Sequence, residues 1–153
     1  MMFRTHLAIG VFASLVFLPL VDNPFPFVGI VVLASLLPDI DTPFSKVGRN
    51  VPAKIVQVGT EHRGLLHSLT FAGLISLLIS VFYPVFSFGF FLGYSTHLIA
   101  DAFTKRGITP FWPYSRVAKG VIPMNGVIEK GIFFTFVMLD VLFVGVRLLN
   151  VSF

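Results

Sequence analysis

The chain has 153 residues, 56% of them hydrophobic and only 12% charged, with 19 Phe, a formal net charge of +4 and a mean hydropathy of +0.92. Soluble domains carry roughly a quarter charged residues, so seven acidic side chains leave too little polar surface for a water-soluble globule, and a bilayer is the natural solvent. The absence of cysteine excludes a disulfide framework, a thiolate nucleophile and a cysteine-type zinc site, and no Lys/Arg run is dense enough to argue for nucleic acid.

A membrane-spanning helix takes about 20 apolar residues, or ~17 at the short end, and five segments reach or approach that length. The first expected helix covers residues 5–21. It starts like a signal peptide, with Arg4 ahead of an apolar run, but no small-x-small cleavage motif follows, so it reads as a retained helix. Asp22-Asn23-Pro24 turns the chain into a short second helix, 25–37, stopped by Pro38. A third helix, 65–82, is broken at Tyr83-Pro84, and a fourth covers 86–103. The fifth covers 131–149. Polar segments 39–64 and 104–130 hold Pro, Gly and most of the cations and read as loops or re-entrant caps. Trp112 and Tyr114, beside Pro110 and Pro113, read as an interfacial aromatic anchor. The expected architecture is all-α: a polytopic integral membrane protein, one domain over residues 1–153, with a bundle of about five transmembrane helices and two cytoplasmic loops.

Connectivity then orients the chain. Two tight turns, 22–26 and 83–87, lie on one side, so the N-terminus, both long loops and the start of the fifth helix lie on the other. Ten of the 11 Lys and Arg residues fall on that second side, and Arg147 alone lies near the first. The positive-inside rule makes the cation-rich side cytoplasmic in a multi-pass protein of the cell membrane, with the C-terminus outside.

The same topology gathers the ionisable residues. His6 opens the first helix, Asp39 and Asp41 follow the second, and Glu61, His62 and His67 introduce the third. His97 and Asp101 close the fourth, and Glu129 just precedes the fifth. Nine of the eleven His, Asp and Glu residues thus meet at one face, leaving Asp22 in a turn and Asp140 within the fifth helix. Taken singly, each has a bland reading: a polar helix end, a cap, or in Arg63 a snorkelling cation. Jointly, ionisable groups this close to an apolar zone are costly and point to a metal or proton site. His97 and Asp101 stand four apart on one helical face, and Asp39 and Asp41 share a side if locally extended. Arg63, between His62 and His67, can clamp a phosphate through two parallel hydrogen bonds.

Several segments together resemble the YdjM family of membrane-bound, metal-dependent hydrolases. They are Thr5-His6-Leu7, Leu36-Leu37-Pro38-Asp39-Ile40-Asp41-Thr42-Pro43, and His62-Arg63-Gly64-Leu65-Leu66-His67-Ser68. Gly93-Tyr94-Ser95-Thr96-His97-Leu98-Ile99-Ala100-Asp101, residues 107–113 and Glu129 after Gly126 complete the set. The resemblance implies a hydrolase with divalent metal, distantly like zinc-dependent phospholipase C and P1-type nucleases.

Eight candidate metal ligands follow: His6, Asp39, Asp41, His62, His67, His97, Asp101 and Glu129. They exceed one tetrahedral shell, so two or three ions are expected. Nitrogen and oxygen donors without thiolate suit zinc, with manganese or iron left open. Asp39 or Asp41 is expected to bridge ions, Arg63 to neutralise phosphate, and Glu129 or Asp41 to take the proton of the attacking water. The depth of the site argues for a phosphoester in a lipid or a lipid-linked substrate. The rival readings are a proton or metal-ion transporter, for which Asp140 alone speaks, and a non-catalytic membrane scaffold with a structural metal.

Overall fold

The computed structural model describes residues 1–41 and 65–150, the side chains of residues 40, 41 and 150 excepted. Among the described residues there are five α-helices and no strand. They are α1 (Phe3–Phe17), α2 (Pro24–Ala34), α3 (Leu69–Phe82), α4 (Pro84–Ala102) and α5 (Val127–Asn150). The helix breaks sit where the prolines dictate. Pro19 lacks the N–H that would continue α1, and the chain tightens into a 3-10 turn, Leu18–Leu20. Pro24 and Pro84 each occupy the first position of the next helix, where a missing N–H costs nothing.

Two elements begin elsewhere than the apolar runs suggest. Residues expected to open the third helix instead form a separate 3-10 turn, Leu65–His67. Helix α3 starts only after Ser68, whose hydroxyl accepts the Phe71 N–H at 3.1 Å, an N-cap that ends the preceding turn. Helix α5 starts at Val127, four residues ahead of the expected boundary, which places Glu129 within its first turn.

By length and apolar composition two segments can cross a bilayer: Phe3–Leu20, with 18 residues, and Val127–Leu149, with 23. The second rises about 35 Å as a helix, against a hydrocarbon core of about 30 Å. None of its apolar window is buried inside the protein. Helices α2 and α3 are apolar but shorter.

Helix α4 is the centre of the bundle and packs against α1, α2 and α3. Small residues set the approach: Gly93 of α4 faces the Val31 carbonyl of α2, and a Cβ there would also meet the Ala34 Cβ at 3.0 Å. In the α3–α4 hairpin, Ser76 and Ser87 exchange hydroxyl-to-carbonyl hydrogen bonds of 3.0 and 2.9 Å. Helix α5 packs chiefly on α1. Phe12 makes edge contacts with Phe136 and Phe143, and the Arg147 guanidinium donates to the Leu15 carbonyl at 3.3 Å. Contacts that advance together along both helices make them parallel, so their N-termini share one end.

The segment between α4 and α5 is ordered by backbone pairing. Ile108 and Ala118 exchange two hydrogen bonds of 2.9 Å, and Thr104 bridges to Ile122. Gly107 adopts φ +67°, where a side chain would be strained, and its Cα faces the Ala118 carbonyl. The Pro110 carbonyl accepts the Leu69 N–H at 2.8 Å, satisfying a free donor at the start of α3. Phe111, Trp112 and Tyr114 are exposed, as an interfacial anchor requires.

Candidate metal centre

Four of the five helices contribute to one buried site, through residues at or just beyond their ends at the cluster end of the bundle. His6 lies one turn into α1, Asp39 in the 3-10 turn Leu37–Asp41 beyond α2, and His67 in the turn before α3. His97 and Asp101 lie one helical turn apart near the end of α4. All three imidazoles and Asp101 are at most 1% exposed, and Asp39 is 6% exposed.

His97 is the hinge of the arrangement. Its Nδ1 lies 2.7 Å from the Ser35 carbonyl. A carbonyl can only accept, so Nδ1 carries the hydrogen, and Nε2 is the atom left to face the cluster. The carbonyl is available because the last carbonyls of a helix have no partner within it, and Ser35 caps α2. A backbone acceptor behind a histidine is the usual device for presenting its other nitrogen to a metal. The His6 and His97 rings stack at 3.7 Å with an interplanar angle of 11°, and His67 meets His97 edge-on at 5.6 Å.

Two overlapping groups result: His6, Asp39 and His97, and His67, His97 and Asp101. In each, the ligand atoms lie within 4.8 Å of one another. Across the cluster, His6 Nε2 lies 3.3 Å from Asp101 Oδ1, His67 Nε2 lies 3.9 Å from Asp101 Oδ2, and His97 Nε2 lies 3.9 Å from Asp39 Oδ1. Donors bound at 2.0–2.1 Å around a tetrahedral ion stand about 3.3 Å apart, so these separations need little adjustment to close on a cation. His6 Nδ1 and His97 Nε2 are buried without a hydrogen-bond partner among the described residues. Leaving such an atom unsatisfied costs about 1–3 kcal/mol, which a metal bond would recover. The buried His/Asp groups can therefore hold a metal ion. Burial pushes the Asp39 carboxyl above the ordinary carboxylate range, with His6 opposing the rise and Asp101 adding to it. The Met1 nitrogen also rests against Asp101 Oδ1.

Five of the eight expected ligands (His6, Asp39, His67, His97 and Asp101) come together in this way. The side chain of Asp41, and His62 and Arg63 with their neighbour Glu61, lie outside the described residues. Glu129 is 1% exposed but belongs to neither group. Its two oxygens accept backbone N–H groups, one from Met2 and one from Asn125, which ties the start of α1 to the start of α5. Glu129 is the third residue of α5 and reaches back to the N–H of Asn125, two residues ahead of the helix.

Two contributors escaped the sequence reading. Ser35 acts through its carbonyl, which leaves no mark in the residue type. Tyr94 was readable only as part of a motif; its hydroxyl donates to the Leu66 carbonyl at 2.6 Å and so fixes the turn carrying His67. Its position one turn before His97 was the available signal. No curated protein and no solved structure matches the chain. The model of the YdjM inner membrane protein family matches residues 1–151, and the chain belongs to that family of inner membrane proteins.

Proposed function

We propose that the protein is a membrane-embedded, metal-dependent hydrolase of a phosphoester in a lipid or lipid-linked substrate. In this reading all five helices cross the bilayer, and the His/Asp cluster lies at its cytoplasmic face. The observation that carries it is His97, held from behind by the Ser35 carbonyl with Nε2 turned into a buried set of four further donors. Zinc is the first candidate for such a nitrogen-rich set, ahead of manganese or iron. A bound divalent ion supplies Lewis acidity and a water whose pKa falls to about 7.

The residues supply the rest. Asp39 and Asp101 together balance one divalent charge, so a second ion needs a further carboxylate, for which Asp41 is placed by sequence. Both Glu129 oxygens already hold N–H groups, so proton acceptance from water falls to Asp41. Arg63, four residues before His67, is the proposed clamp on phosphate. One observation favours ion transport instead: Asp140 Oδ1 is buried within α5 without a hydrogen-bond partner among the described residues.

The test is metal analysis of the purified protein, then a panel of lipid phosphoesters with wild type and Asp39→Asn. The reading expects bound divalent metal and turnover that the variant loses. Absence of metal from the wild type would sink it. Metal without turnover on any lipid phosphoester would leave a scaffold, and proton or metal flux in liposomes a transporter.

A further inference from the structure

Outside the cluster, a cavity of about 210 Å³ opens between the starts of α1 and α5. Arg4 of α1 and Lys130 of α5 line it, both exposed and neither ion-paired among the described residues. Its apolar wall is Phe133 and Phe134, one turn further into α5. Phe134 is 63% exposed and continues onto a surface of α5 that the described residues leave uncovered. Glu129 also borders the cavity; its carboxylate is drawn inward onto the Met2 and Asn125 N–H groups, and against it the two cations keep the lining net positive.

We propose that this cavity binds the phosphate of a glycerophospholipid, with Arg4 and Lys130 on the headgroup and the first acyl carbons against Phe133 and Phe134. Two unpaired cations above an aromatic wall match a ligand that is anionic at one end and apolar at the other. The N-terminal ends of two parallel helix dipoles add to the positive potential there. Size agrees: sites that enclose a whole drug-sized ligand measure about 300–1,000 Å³, so this smaller cavity takes a headgroup fragment and leaves the chains in the bilayer. Thr5, which lines the cavity, directly precedes His6 in α1. The proposal deepens the reading of the protein as a lipid phosphoesterase, and rests on it only for the step from binding to turnover.

The experiment titrates the detergent-solubilised full chain with dioctanoyl phosphatidic acid and reads binding by native mass spectrometry. Dioctanoylglycerol and inorganic phosphate serve as comparison probes, and metal content is measured on every variant. Arg4→Gln and Lys130→Gln are each expected to weaken phosphatidic acid binding about tenfold, the loss of one charge-assisted contact, with metal content unchanged. Phe134→Ala is expected to weaken the lipid several-fold. Both comparison probes should bind far more weakly than the lipid. Unchanged affinity in the Arg4→Gln, Lys130→Gln double variant overturns the proposal. So does inorganic phosphate competing as well as the lipid, which would make this a free-anion site. Chelation that abolishes lipid binding overturns it too, because the phosphate would then sit on the cluster. Intact lipid binding without turnover would count against the hydrolase reading alone.

Discussion

Replacing Gly93 with Ala tests whether the close approach of α2 and α4 builds the candidate metal centre. The added Cβ would run into the Val31 carbonyl oxygen and lie 3.0 Å from the Ala34 Cβ, both on rigid backbone or a side chain with nowhere to turn. Ordinary carbon contacts begin near 3.5–4.0 Å, so the helices must part by at least about half an ångström, and by more at the carbonyl. Overpacking of this kind costs typically 1–3 kcal/mol, and the upper end applies because backbone is struck. Removing a helical glycine returns about 1 kcal/mol, for a net loss of about 2 kcal/mol. At roughly 2–4 °C per kcal/mol for a chain of this size, the melting temperature in detergent should fall by about 4–8 °C. The second effect is specific. Gly93 lies one turn before His97, and Val31 one turn before Ser35, so the same displacement stretches the 2.7 Å bond that orients His97. Loss of such a supporting bond weakens metal binding about 10–100-fold. The controls are Gly29→Ala on α2 and Gly73→Ala on α3, where a Cβ meets nothing within 4 Å. They should keep full metal and melt no lower than wild type. Melting and metal titration of the three variants decide the matter. If Gly93→Ala behaves like the two controls, the contact does not set the site.

His97 belongs to both donor groups, so His97→Ala should lower metal stoichiometry more than His67→Ala, which removes a donor from one group only; equal losses would show that the groups do not share His97. Glu129→Gln turns one acceptor into an amide NH₂ facing a backbone N–H, which should destabilise the fold by about 1–3 kcal/mol in a denaturation series while metal content holds. Loss of metal without loss of stability would instead make Glu129 a ligand. Tyr94→Phe removes the bond to the Leu66 carbonyl, worth about 1 kcal/mol, and should weaken metal binding through the His67 turn. Unaltered affinity in a competitive chelator titration would detach Tyr94 from the site.

Much of this architecture is legible in the sequence because the physics involved is local. Pro24 and Pro84 are fixed in helix-opening roles by the lost N–H, and both expected breaks occur there. The meeting of His6, Asp39, His67, His97 and Asp101 follows from helix lengths and turn positions, since alternate helix ends must share a face. What escapes is decided by tertiary contact. The start of α5 is drawn back to Val127 because the Glu129 carboxylate satisfies N–H groups that an apolar count cannot see. The same contact turns Glu129 from an expected ligand toward an anchor in the described structure. Ser35 supplies a carbonyl, and any residue type would supply the same atom. The ordering of the 104–126 segment depends on pairings between residues ten and more apart, such as Ile108 with Ala118, which carry no periodic signal.

The parallel pairing of α1 with α5 has a consequence for biogenesis. More than a hundred residues separate Phe12 from its aromatic partners Phe136 and Phe143, so during synthesis the first helix is complete long before the last one exists. All five donors of the described cluster are already translated by Asp101, and the centre can assemble around α4 while the Met2 N–H still awaits Glu129. The final helix therefore arrives as a latch on a centre whose ligands are already in place.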